Sequence, residues 1–244
     1  MQQALKKSWL KLEVIGMARI VGGVTTSHIP AIGNALGCAD RYENADEGWG
    51  LQTLASFEGD AQFSWHLVES LIRQEFDMAM CQEMLVDHGF ITPMALMWRH
   101  LPEWPVKAIP LAVNTVQHPV ASARRCYQLG KALRKAIESY PEDLKVVIFG
   151  TGGMSHQLQG ERAGIIDVDF DLFCMEKIIN DPEWLTQLSN SEIMEKAGTE
   201  GIETIMWLVM RGALQPNVKV VHKHYQAPIS NTGAGVLVLE NTEA

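Results

Sequence analysis

Three histidines and one glutamate stand out by type and placement. His28, His88 and His156 each follow a stretch that reads as a strand, and in open α/β sheets the loops beyond the carboxyl ends of strands converge on ligands. Imidazoles gathered there could bind a metal or move protons. Each alone is equally a loop histidine bonded to backbone. Glu203 lies in Glu200-Gly201-Ile202-Glu203-Thr204-Ile205-Met206-Trp207-Leu208-Val209-Met210, apolar on most sides, and shares a face with Met206, Trp207 and Met210. An unpaired buried carboxylate is costly, so a cation, a metal or a proton is expected beside it; a plain salt bridge to lysine or arginine would also serve. Glu200, one turn earlier, reads as a first-turn acid favoured by the helix dipole. Histidines with one carboxylate fit the facial triad of non-haem iron(II) oxygenases, and zinc uses the same ligand types.

Other motifs carry less. Gly150-Thr151-Gly152-Gly153 lacks both the G-x-G-x-x-G spacing and a G-K-[ST] ending, so its glycines are read as a sharp turn that presents Ser155 and His156. Ser155 does not sit in a G-x-S-x-G elbow, which argues against a serine hydrolase. Trp65, Trp98, Trp104 and Trp184 read as core or interface anchors.

The elements that must position these residues alternate between strand and helix. Ile20–Thr25 reads as a buried strand and residues 31–60 as a long loop. Asp60 caps a helix carrying Phe63, Leu67, Val68, Leu71 and Ile72 on one face. Met78–Met84 is a short strand, Pro93–Trp98 a short helix, and Val106–Val113 a strand with Pro110 at an edge or bulge. A helix capped near Ser122 and stopped by Pro141 precedes the strand Val146–Phe149. Helices over 168–180 and 199–211 and a strand over Gly235–Leu239 complete the pattern. The class is α/β, a mostly parallel sheet with helices on both faces. Residues 1–16 read as an N-terminal extension and 17–244 as one domain, since Met17 opens a fresh apolar run.

Composition narrows the function. With 244 residues, 47% apolar, the chain can bury a core without staples. Twenty basic against 29 acidic side chains, a net charge of -9, argue against a nucleic-acid binder. No apolar run is long enough for a bilayer, and the basic start has neither an apolar core nor a cleavage site. Cys38, Cys81, Cys126 and Cys174 are dispersed, as reduced thiols of a cytoplasmic protein would be.

At these residues the chain resembles the class III extradiol dioxygenases, the family of the protocatechuate 4,5-dioxygenase β subunit and gallate dioxygenase. The matching stretches are Met17–Ile20, Thr26-Ser27-His28-Ile29-Pro30, Ala45-Asp46-Glu47-Gly48-Trp49-Gly50 and Val86-Asp87-His88-Gly89. Gly150–Gly160, Glu200–Glu203, Met206-Trp207-Leu208 and Ser230-Asn231-Thr232 follow, so the likeness runs through nearly all of 17–242. The resemblance implies an αβα fold and Fe(II) held by two histidines and a glutamate, with His28 and Glu203 in ligand positions. It implies His156 as acid/base catalyst, and His88 and Ser230 as residues that meet the substrate. It implies cleavage of a protocatechuate- or gallate-type diol acid with O2, giving a semialdehyde acid in aromatic catabolism. It also implies a short α-type partner in an α2β2 assembly, with a homodimer as the alternative. The family's second iron histidine, in an Asn-Asp-His motif, is absent: Ala35-Leu36-Gly37-Cys38 runs almost directly into Tyr42–Asp46. A helix and a strand go with it, which is expected to leave ladder groups open on the neighbouring strands. The competing reading is a family member that no longer catalyses and only binds.

Overall fold

The computed structural model describes residues 12–19, 34–45, 55–98, 104–115 and 119–242. The chain divides into two compact units, residues 1–119 with 135–151, and residues 120–134 with 152–244.

The first unit is built on a five-stranded sheet. Its strands are β1 (Leu12–Arg19), β2 (Asn34–Gly37), β5 (Met78–Cys81), β7 (Lys107–Val113) and β8 (Lys145–Phe149), in the order β5-β2-β7-β1-β8. Three of the pairings are parallel; β2 against β7 is antiparallel, over Ala35–Ala112 and Leu36–Leu111. The sheet is therefore mixed. Pairing of β7 on both sides removes the open ladder expected there, because Asn34–Gly37 folds as a strand rather than as loop. β1 starts at Leu12, upstream of the Met17 at which the domain is expected to begin, and the strand expected over Ile20–Thr25 lies outside the described residues. Within 31–60 two further short strands form, β3 (Arg41–Asn44) and β4 (Phe57–Glu58), and β3 also pairs with β6 (Leu85–Val86). Their small apolar faces, Tyr42, Phe57 and Val86, are buried in a core with Phe90, Ile91 and Met94.

Pro110 is in the sheet interior, not at an edge. The β2 ladder ends at Leu111, so the missing amide at residue 110 interrupts nothing there, and Gly37 leaves room for the proline ring: a Cβ on Gly37 would lie 2.9 Å from Pro110 Cδ. Helix α1 (Ala61–Arg73) begins where Asp60 accepts the Phe63 amide at 2.9 Å and buries Phe63, Leu67, Val68 and Leu71, while Ile72 is exposed. Helix α2 (His88–Trp98) starts five residues earlier than expected and contains Pro93. The Asp87 carbonyl accepts from both Phe90 and Ile91, which nucleates the extra turn. Helix α3 (Ala123–Glu138) is capped by Ser122 Oγ on the Arg125 amide at 3.1 Å.

The second unit contains α4 (Val168–Asn180), α5 (Pro182–Leu185), α6 (Asn190–Ala197), a 3₁₀ turn (Glu200–Glu203), α7 (Thr204–Ala213), and a hairpin of β9 (Val218–Gln226) with β10 (Ala234–Asn241). Asp167 caps α4 on Phe170, and Ser189 with Glu192 forms a capping box on α6. Every residue of α7 is buried, as its all-round apolar sequence requires. β9 carries charged and histidine side chains and gives no apolar alternation, which is why only β10 is legible in the sequence. The four cysteines are free thiols, and burial pushes Cys126 and Cys174 up to about 12. Among the described residues no helix is long and apolar enough to cross a membrane.

Candidate functional site

The site residues the structure brings together lie in the second unit, around the loop that follows β8. Gly152 has φ +116°, and a Cβ there would lie 2.8 Å from both Glu203 Cβ and Met206 Cε; only glycine admits this approach to the 3₁₀ turn. From Gly153 onward the loop has no helix or strand to satisfy its amides, so other elements do so. Gly153 N–H donates to Glu203 Oε2 at 3.0 Å. Met154 N–H donates to the Gly233 carbonyl, Ser155 N–H to Asp171 Oδ1 at 2.8 Å, and His156 N–H to the Ala197 carbonyl at 2.7 Å. Four successive donors thus end on four separate segments, two of them on buried carboxylates. Gly198, with φ +87°, lets the end of α6 reach this loop: a Cβ there would be 2.3 Å from the His156 carbonyl oxygen.

His156 is fixed at the ring as well. Its Nδ1 is 2.8 Å from the Met154 carbonyl, which can only accept, so Nδ1 carries the proton and Nε2 holds the free lone pair in the neutral ring. That Nε2 lies 3.9 Å from Glu203 Oε2, and both residues are buried, 6% and 5% exposed. The arrangement places a proton acceptor beside a carboxylate in a dry setting. Such a pair can take a proton from a bound hydroxyl and return it, and the carboxylate can hold a cation. Glu203 lies on the 3₁₀ turn just before α7 rather than inside a continuous helix, and it is a buried carboxylate on an apolar segment as the pattern implies. Glu200 Oε2 accepts from the Leu158 amide and the Thr199 hydroxyl.

Ser230 is exposed and two residues from Thr232, which bridges to His156; the Ser230 carbonyl accepts the Thr232 amide at 2.8 Å. His88 belongs to the first unit, as the first residue of α2, partly buried. His28 lies outside the described residues. Among the described residues no group of three or more histidine, cysteine or acidic side chains is placed to hold a metal.

Sequence reasoning misses Asp171 and Tyr225. Asp171 is 1% exposed; its Oδ2 accepts from Ser155 Oγ and from the Tyr225 hydroxyl, each at 2.7 Å. A signal is there. Asp171 shares the α4 stripe of Cys174, Met175 and Ile178, all buried, and the rule that picks out Glu203 picks out Asp171 equally.

Residues 22–237 match the family described as the catalytic LigB subunit of aromatic ring-opening dioxygenase. The chain is 46% identical over 199 residues to a protein named gallate dioxygenase from Pseudomonas putida, a match covering 82% of this chain and 58% of that protein. It is 25% identical over 223 residues to a 2,3-dihydroxyphenylpropionate/2,3-dihydroxicinnamic acid 1,2-dioxygenase from Comamonas testosteroni, covering 72% of this chain and 68% of the relative. Among solved structures, the uncharacterized protein JW3007 from Escherichia coli K12 superposes with a TM-score of 0.59 at 12% identity, over 97% of this chain and 92% of that one, a likeness of fold alone. The helices, the mixed sheet and the paired His156 and Glu203 thus belong to a chain that is a member of the family of catalytic LigB subunits of aromatic ring-opening dioxygenases.

Proposed function

We propose that this chain cleaves the ring of a gallate- or protocatechuate-type diol acid beside the diol, in aromatic catabolism, using Fe(II) and O2. The observation that carries the reading is the buried pair itself, His156 Nε2 3.9 Å from Glu203 Oε2 with the other ring nitrogen tied to Met154. Glu203 is a buried carboxylate, an oxygen donor of the kind that suits iron(II), so it fits the metal and, with His28, would hold it. Bound iron would supply the redox chemistry of dioxygen. The chain's own part is protonic. His156 Nε2 takes a phenolic proton as the diol docks and returns it as the ring opens, while burial excludes water. His88 and Ser230 are the residues assigned to meet the substrate, Ser230 at its carboxylate. Both oxygen atoms of O2 enter the product, and one carbon–carbon bond of the ring is broken.

The assembly that goes with this reading is the chain with a short α-type subunit, as α2β2, or else a homodimer, in the cytoplasm. The fold that goes with it has helices on both faces of the sheet. Gel filtration of the chain alone and after co-expression with its neighbouring gene product separates the two assemblies.

Oxygen uptake is the test of activity. Protein loaded with Fe(II) under anaerobic conditions and then given O2 with gallate or protocatechuate should consume one O2 per ring opened; no uptake with either would sink the reading. The missing Asn-Asp-His segment favours a second reading, a member that binds the acid without turning it over. Metal analysis separates the two: substoichiometric iron with intact binding of the aromatic acid supports the second, and about one tightly held iron per chain defeats it.

A further inference from the structure

We propose that Asp171 is a positioning residue for His156, acting through Ser155. The inference rests on the ring-cleaving reading for its kinetic consequence and on geometry alone for its structural one.

Ser155 is fully buried between Met154, whose carbonyl fixes the His156 ring, and His156 itself. Asp171 grips it at two points: Oδ1 takes the Ser155 amide at 2.8 Å and Oδ2 takes the hydroxyl at 2.7 Å. A bidentate hold of this kind fixes both the position and the rotation of one residue, where a single bond would leave a pivot. The serine oxygen is used again, accepting the Asp167 amide at 2.8 Å, so the loop is locked to the cap of α4. Tyr225, from β9, supplies the third bond to the carboxylate. The segment that carries Ser230 and Thr232 closes over the same point. A Cβ on Gly233 would lie 2.3 Å from Asp171 Oδ2, and Gly233 N–H donates to the Ser155 carbonyl at 2.8 Å.

Burial pushes the Asp171 carboxyl up, while the bonds from Ser155 and Tyr225 pull it down. Burying such a group only to fold the chain would be a poor exchange, because an apolar side chain on the α4 stripe would bury at no polar cost. What an apolar side chain cannot do is hold an amide and a hydroxyl of the loop together. The carboxylate therefore specifies the angle at which Met154 presents its carbonyl to the His156 ring, and through it which ring nitrogen carries the proton. The charged and titratable groups packed about this point are Glu203 from the 3₁₀ turn, Asp167 and Asp171 at the start of α4, and Tyr225 from β9.

The test uses Asp171→Asn, Ser155→Ala and Tyr225→Phe in the full chain. In the metal-free protein, ¹⁵N chemical shifts of the His156 ring report the tautomer. The unsubstituted chain should show protonated Nδ1; Asp171→Asn and Ser155→Ala should show a mixture of the two tautomers, and Tyr225→Phe should retain the original one. In the iron-loaded enzyme, Asp171→Asn and Ser155→Ala should lower kcat by ~10–100-fold, the scale of a small misplacement. KM for gallate should stay within about threefold, as expected for a loss confined to the transition state. A melting temperature that falls while the tautomer and the kcat of the folded fraction stay unchanged would overturn the proposal. Should Asp171→Asn not fold, Ser155→Ala, which removes a single hydroxyl, decides the question by the same two readouts. Failure of the unsubstituted enzyme to open any ring would sink the functional reading but leave the tautomer measurement to decide this one.

Discussion

The two ends of one apolar segment make an instructive pair. Glu203 stands at the N-terminal end of α7 and Arg211 near its C-terminal end, and both are buried, 5% and 2% exposed. Each charge sits at the end that the helix dipole favours. Their partners differ. Arg211 gives Nε to the Ile178 carbonyl near the end of α4 and its two terminal nitrogens to the Gln215 and Pro216 carbonyls just after α7, three neutral acceptors of the main chain. Desolvation pushes its pKa down, yet guanidinium remains charged at any ordinary pH. Glu203 instead receives a loop amide on the oxygen that lies nearest His156. Burial and charge alone, therefore, do not separate a site from a scaffold. The separation lies in whether the partners are main-chain groups that finish a fold or include a second group able to exchange protons.

The comparison breaks first at Glu203. Glu203→Ala, like His28→Ala, should weaken iron at least ~100-fold, beyond what loss of an outer partner costs, and remove activity with it. Chelator competition measures this, and unchanged iron in both variants would return Glu203 to the scaffold. His156→Ala should keep its iron and lose ~10²–10⁴-fold in kcat, because only the acid–base step is removed. Iron content and turnover on one preparation distinguish that from general damage. Arg211→Met should do the opposite. About 2–4 kcal/mol of stability should go as the Ile178 carbonyl loses its buried donor, with iron content and kcat of the folded protein unchanged. Urea titration reads it, and a change in kcat without a change in midpoint would place Arg211 in the site. Gly198→Ala tests the same loop from the backbone side. Its φ of +87° with ψ 167° costs a non-glycine residue about 1–3 kcal/mol, and the added methyl clashes with main chain besides. The loss of stability should be at least as large as for Arg211→Met. A marked drop in melting temperature is expected, with kcat of the folded fraction falling too, since the new methyl would lie 2.3 Å from the His156 carbonyl oxygen and must displace it.

How much of this is legible in the sequence depends on the range of the interactions. The caps at Asp60 and Ser122 and the 168–180 helix are set by neighbours a few residues apart, and they read directly. His156 and Glu203 are legible as types in suspicious places. Their meeting is not, because a separation of 47 residues is bridged only by the fold. Pro110 is expected at an edge or bulge and instead sits in an interior strand, because a local rule cannot see that the β2 ladder stops one residue short. β2 itself is hidden in a glycine- and alanine-bearing stretch with no period, and its strand character comes from its neighbours. Asp171 hides among three acids at a helix start, although its stripe marks it as inward.

The four consecutive amides of the loop also carry a kinetic meaning. Their acceptors lie far along the chain, at Glu203, Gly233, Asp171 and Ala197, so none of these bonds can form by local closure. Forming each must wait until long stretches have been brought together, which costs loop-closure entropy before any bond is gained. The site should consequently assemble late, after α4 and the hairpin have docked. Once assembled, the same bonds shield the amides of Met154 and Ser155, both fully buried, from solvent. In hydrogen exchange these irregular loop positions should be protected like helix interiors, opening only with the unit that holds their acceptors.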